Sequence, residues 1–166
     1  FFKLLINRFI MKNFILILFV SKFLVSCNSI KKEKISNNEV EVKIYEFFET
    51  LSVKNPDKEK IYNLITNDFY IFENQKKYTM QEFLEFVSTF NIIQDNWELS
   101  NFDINTDYNS AHVTLNNKGE FIVKTPDGNV KMEFEWLESA YLIKEDDELK
   151  FNFYFSDTVS ESITPL

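Results

Sequence analysis

Apolar side chains recur along the chain in two rhythms. Between Asn38 and Leu51, the residues Val40, Ile44, Phe47, Phe48 and Leu51 fall three or four apart, which predicts a helix with one broad apolar stripe. Asn38, with Glu41 at the third position after it, reads as the capping box of that helix. Asn55-Pro56 predicts a second, shorter helix with proline in its first turn and Ile61, Leu64 and Ile65 facing inward. Asp68–Glu73, with Phe69, Tyr70, Ile71 and Phe72 at its centre, reads as a strand. Thr79 and Glu82 form another capping box, and Phe83, Phe86, Val87 and Phe90 share one face of the helix behind it.

From Trp97 onward the rhythm shortens to two. Phe102 and Ile104 alternate with polar residues, and so do Ala111, Val113 and Leu115. Asn116-Asn117-Lys118-Gly119 reads as a turn before Phe121 and Val123, and Pro126-Asp127-Gly128 as a further turn. A long strand follows, with Met132, Phe134, Trp136, Ala140 and Leu142 on its inner face. The acidic turn Glu145–Glu148 then closes a hairpin to Leu149, Phe151, Phe153 and Phe155. Helices first and an antiparallel meander afterwards predict an α+β fold.

Composition narrows the classes. The chain has 166 residues, which suits one ordinary domain plus short flanking segments. A single cysteine excludes a disulfide scaffold. The net charge of −8 conceals a split: residues 1–26 hold Lys3, Arg8, Lys12 and Lys22 without any acid, so residues 27–166 carry −12. Such an acidic body repels phosphate, and no nucleic-acid partner is expected.

The basic start reads as a targeting segment. Met11 and Lys12 precede the apolar run Phe14–Val20, and Lys22 leaves that run too short to span a bilayer. Leu24-Val25-Ser26-Cys27 resembles the lipobox of bacterial lipoproteins. That resemblance implies cleavage before Cys27, lipid attachment at its thiol and a domain held on a membrane in the cell envelope, outside the cytoplasm. One acyl chain anchors only marginally, and two or three hold firmly. Residues 1–10 are read as an over-extended start, 1–26 as the signal segment, 27–37 as the lipidated cysteine with a polar tether, 38–158 as the domain and 159–166 as a tail.

The element order of residues 38–158 resembles the nuclear transport factor 2-like superfamily, in particular its SnoaL-like branch. The resemblance rests on the strand Asp68–Glu73, the cap Thr79-Met80-Gln81-Glu82 with its helix, and a final strand Leu149–Ser156 in which Lys150 and Ser156 match the usual ending. Leu149 stands where many relatives carry tryptophan, and their histidine is missing. The resemblance implies a cone: a curved antiparallel sheet curling around helices, often enclosing a pocket. Members include isomerases and cyclases as well as binding modules without chemistry, so fold alone does not choose between them.

Candidate chemistry is sparse. His112 alternates onto the polar side of its strand, where solvent exposure is the expectation. One histidine and one cysteine cannot assemble a Cys/His metal site, and Glu145–Glu148 lacks the spacing of a calcium loop, so no metal is expected. No phosphate-cradling glycine loop occurs and no cofactor is expected. Asp68 suits a cap or turn. Glu138 stands apart, because it shares the inward face of Trp136 and Ala140, where burial raises a carboxyl pKa and favours proton transfer or ligand binding. A bulge or a rim position would turn it outward instead. Trp136 offers a flat apolar wall, with Tyr45 or Tyr154 as a second polar group beside Glu138. Tyr141 and Ile143, on the opposite face, form a candidate surface for a homodimer.

The leading expectation is therefore a lipid-anchored, non-enzymatic domain that binds a small apolar ligand or a protein partner. The alternative is an isomerase- or hydratase-type enzyme with Glu138 as proton shuttle. A third reading makes the domain purely structural.

Overall fold

The computed structural model describes residues 33–55 and 57–166. Cys27, its lipobox and the signal segment lie outside the described residues. The tether expected over 27–37 ends earlier than its polarity suggests. Ile35 is buried, and its N–H bonds to the Asp107 carbonyl at 3.0 Å. Ser36 then caps helix α1 (Asn37–Leu51), its side chain accepting from the Glu39 N–H at 3.1 Å. Ser36 is thus the cap rather than Asn38, which already lies in the first turn. The stripe follows the expected rhythm: Val40, Ile44, Phe47 and Phe48 are buried. Full burial of a side chain such as Phe47 stabilises by roughly 2–3 kcal/mol over exposure.

The second predicted helix is a short 3-10 segment, Lys58–Asn63, with Ile61 buried. Ile65, expected inside that helix, opens strand β1 (Ile65–Glu73) instead. Asn74 and Gln75, at φ 49° and 60°, turn the chain into β2 (Lys76–Tyr78), a strand the rhythm does not predict because it is three residues long. Thr79 and Glu82 form the complete reciprocal capping box of α2 (Met80–Ser88). Phe83 is buried and Phe86 and Val87 are half-buried, whereas Phe90 lies past the helix and is exposed.

Four long strands complete the chain: β3 (Ile92–Thr106), β4 (Ser110–Thr125), β5 (Gly128–Glu145) and β6 (Glu148–Pro165). The sheet order is β2-β1-β6-β5-β4-β3. All neighbours are antiparallel except β1 and β6, which run parallel, so the sheet is mixed rather than wholly antiparallel. The helical side chains Phe47 and Phe48 pack into its inner face against Phe151, Tyr154 and Trp97.

Three local departures from the expected pattern shape the sheet. Asn116–Gly119 is not a turn; β4 runs straight through it, with Asn117 paired opposite Trp136 and Gly119 opposite Phe134. Gly119 stays a glycine for a packing reason, since a Cβ there would stand 2.6 Å from a Trp136 ring atom. In β6, Asn152 is an extra residue: Phe151 pairs with Leu142 while Phe153 pairs with Tyr141. The bulge moves Phe153 and Phe155 off the inner face and brings Tyr154 and Ser156 onto it, so the expected phenylalanine stripe stops at Phe151. Finally, residues 159–165, expected as a tail, are strand paired along β5.

Candidate functional site

The inner face of the sheet and the two helices line a cavity of about 310 Å³ that is partly open to solvent. Its walls are mainly aromatic. Trp97 from β3, Phe121 from β4, and Phe134 and Trp136 from β5 interlock, with Phe134 and Trp136 stacked at 5.0 Å between centroids. Phe47 and Phe48 from α1 and Phe83 and Phe86 from α2 close the other side. The indole N–H of Trp97 is buried without a hydrogen-bond partner.

Polar groups enter along one row of the sheet. Glu138 on β5 pairs with Ser156 on β6, and β1 lies beside β6 through the pairing of Phe72 with Phe155, which sets Glu73 next to Ser156. All three residues line the cavity. Glu138 is 5% exposed, as its phase on β5 predicts. Its Oε1 accepts from Asn117 Nδ2 at 2.8 Å, and its Oε2 accepts from the Tyr154 hydroxyl. Burial pushes its pKa up to about 8; Asn117 opposes the rise and the charge of Glu73 reinforces it. Burial also raises the pKa of Glu73, against hydrogen bonds from Ser156 and the Asn74 backbone. Asn117 donates to Glu138, and the Tyr154 hydroxyl can donate to the carboxylate or accept the proton of the neutral form. Asn117 Oδ1 is buried without a partner.

Of the residues anticipated from sequence, Trp136, Glu138 and Tyr154 come together here. Tyr45 does not: it is 51% exposed on the outer side of α1 and packs on Phe102. Tyr45 directly follows Ile44, about 100° round the helix from it, and the apolar stripe, not the tyrosine, faces inward. His112 is exposed, with Nε2 2.9 Å from Ser139 Oγ on the outer face. Asp68 accepts from Thr66 Oγ1 at 2.8 Å and from Asn152 Nδ2 at 3.0 Å, which ties β1 to the β6 bulge.

Sequence reasoning missed Asn117, Glu73 and Ser156. Asn117 keeps strict two-residue phase with Val113 and Leu115, a signal hidden by the turn-like string around it. It also missed Asp95, a buried carboxylate at the cavity edge that accepts from Ser52 Oγ and the Val53 N–H at 2.9 Å each and so closes the end of α1. Lys58 Nζ donates to the last α1 carbonyls, among them Leu51 at 2.8 Å, which suits a cation at a helix C-terminus.

No protein-family model matches the chain, and comparison with curated proteins finds no match. Solved structures do match. A Novosphingobium aromaticivorans protein assigned as a scytalone dehydratase superposes with a TM-score of 0.61 at 16% identity, over 75% of this chain and 85% of that one. A hexachlorocyclohexane dehydrochlorinase from Novosphingobium barchaimii gives a TM-score of 0.55 at 12% identity, over 79% and 94%. The association domain of the C. elegans kinase CaMKII gives 0.59 at 16%, over 73% and 94%. The fold is therefore the nuclear transport factor 2-like cone, α+β, with helices packed on a curved six-stranded sheet.

Proposed function

We propose that the domain binds a predominantly apolar small molecule inside the cone, with Glu138 meeting its polar group. One observation carries this reading: a buried carboxyl lies in an aromatic cavity, held by the Asn117 amide and the Tyr154 hydroxyl and facing no basic side chain among those that line it. Such a constellation of one polar anchor and apolar walls is what small-molecule sites have in common. The test uses Nile red, a neutral dye whose emission shifts to the blue in apolar surroundings. Saturable binding is expected, weakened about tenfold by Val87→Trp, which fills the cavity from the half-buried wall of α2. Unchanged binding to that variant would put the dye elsewhere and end the reading.

A second reading is proton-transfer chemistry by the same carboxyl. The Tyr154 hydrogen bond on a carboxyl with a pKa near 8 favours it, because a base of that strength is well matched to neutral pH. Two fold neighbours bear the names of a dehydratase and a dehydrochlorinase, both elimination reactions. Deuterium exchange next to the carbonyl of a bound ketone, lost in Glu138→Gln, supports catalysis; binding without exchange leaves a binding module.

Attachment and pairing belong to the same proposal. Cys27 carries lipid and holds the protein in the bacterial envelope, on the strength of Leu24-Val25-Ser26-Cys27 after a basic and apolar start. Metabolic labelling with a fatty-acid analogue is expected to vanish in Cys27→Ala. The outer sheet face pairs two copies, supported by Leu137, Tyr141 and Phe155, which are exposed there around half-buried Ile143. A monomeric mass by light scattering would exclude that pairing.

A further inference from the structure

The hydrogen bonds around Glu138 and its burial call for opposite charge states. Asn117 donates to the carboxyl and the Tyr154 hydroxyl can do the same, an arrangement that accommodates the ionised form. Burial and the nearby Glu73 favour the neutral one. A positive charge in the cavity would reconcile them, and the described residues that line it supply none: its charged side chains are Glu73, Asp95, Glu138 and Glu161, all acids. Asp95 is already committed to the end of α1. Lys58, which feels the charge of Asp95, spends its ammonium on the α1 carbonyls.

Resting on the pocket reading, we propose that the ligand is an amphipathic amine whose nitrogen lies between Glu138 and Glu73 and whose apolar body fills the aromatic walls. The faces of Trp97, Phe121 and Trp136 add to this, since an aromatic ring attracts a cation lying over it. The charge of −12 on residues 27–166 raises the local concentration of cations and lowers that of anions. A neutral amine takes the proton of the Glu138 carboxyl onto its nitrogen. An ammonium arriving from solution instead sends that proton to solvent. Both routes end in a carboxylate with two donors and one counter-ion. The groups facing Glu138 are Asn117 on β4, Tyr154 and Ser156 on β6, and Glu73 on β1; Glu73 also senses Asp157. None of them is basic.

The experiment compares three molecules with one body and different heads: phenylbutylamine, phenylbutanol and phenylbutyrate, titrated calorimetrically into the protein at pH 7. The amine is expected to bind at least about tenfold more tightly than the alcohol, with phenylbutyrate weakest. Repeating the amine titration in two buffers of different ionisation enthalpy should reveal net proton release. In Glu138→Gln and Glu73→Gln the preference for amine over alcohol should shrink, while retained alcohol binding shows that the cavity has folded. An alcohol that binds as tightly as the amine, or tighter phenylbutyrate binding, overturns the amine assignment and leaves the apolar pocket standing. Failure of all three to bind overturns the assignment and the pocket reading together.

Discussion

Glu138 turns the site into a property of the fold that can be measured without any ligand. Below about pH 4.5 its carboxyl is protonated in folded and unfolded chains alike. As pH rises toward 8 the unfolded chain ionises while the folded one keeps its proton, so this contribution to stability is lost over that window. Forcing a carboxyl held near 8 to ionise costs the fold on the order of 5 kcal/mol. Glu73, raised in the same direction, steepens the decline. Urea unfolding from pH 5 to 9 should therefore show falling stability in the native chain and a much flatter profile in Glu138→Gln. At pH 5 the two should lie within about 1 kcal/mol, because glutamine keeps an oxygen for Tyr154 and cannot ionise. Parallel profiles for the two proteins would mean that Glu138 is not the titrating group. Glu138 was legible from phase alone, since a carboxylate in step with Trp136 and Ala140 has to be buried unless the strand bulges. Its partners were harder to read, because an asparagine and a serine carry no hydrophobic signal.

Between the turns, the elements show where local signals mislead and where they suffice. Alternation along β4 persists from Ala111 to Val123, yet Asn-Asn-Lys-Gly imitates a turn because the two inward positions hold an amide and a glycine. Both residues answer to a neighbouring strand: Asn117 bonds to Glu138, and Gly119 leaves room for Trp136. No single-strand pattern could contain that information. The bulge at Asn152 is equally invisible, since it breaks the alternation of β6 just before three successive aromatic residues, Phe153-Tyr154-Phe155. True turns were easier. The acidic turn after β5 closes through Asp146 and Asp147 at φ 52° and 65°, a left-handed pair that glycine adopts with less strain than aspartate. Asp147→Gly is accordingly expected to stabilise the domain by about 0.5–1 kcal/mol, while also removing one of four adjacent acids. A lower urea midpoint for that variant would contradict the reading of the turn as a strained one.

Taken as a whole, the domain sets the end at which residue 35 enters its core apart from the aromatic end of its cavity. Ile35, where the described chain enters the core, bonds to Asp107 at the far end of β3. The cavity is lined instead by the near end of that strand, Ile92 and Trp97, together with Val123 and Met132. Along β3, Trp97 lies ten residues from Asp107, at most about 34 Å. Residues 28–34, fully extended, reach at most about 25 Å from Cys27. The lipid attachment proposed at Cys27 accordingly predicts that the cavity stays in solvent. The two tryptophans of the chain, Trp97 and Trp136, both stand in the cavity wall, so intrinsic fluorescence reports on that end alone. Quenching by acrylamide, which is neutral and small, should have the same slope for lipidated protein on vesicles as for unlipidated Cys27→Ala in solution. A slope cut by half or more on vesicles would mean that the membrane covers the cavity. The ligand would then arrive from the bilayer rather than from solvent.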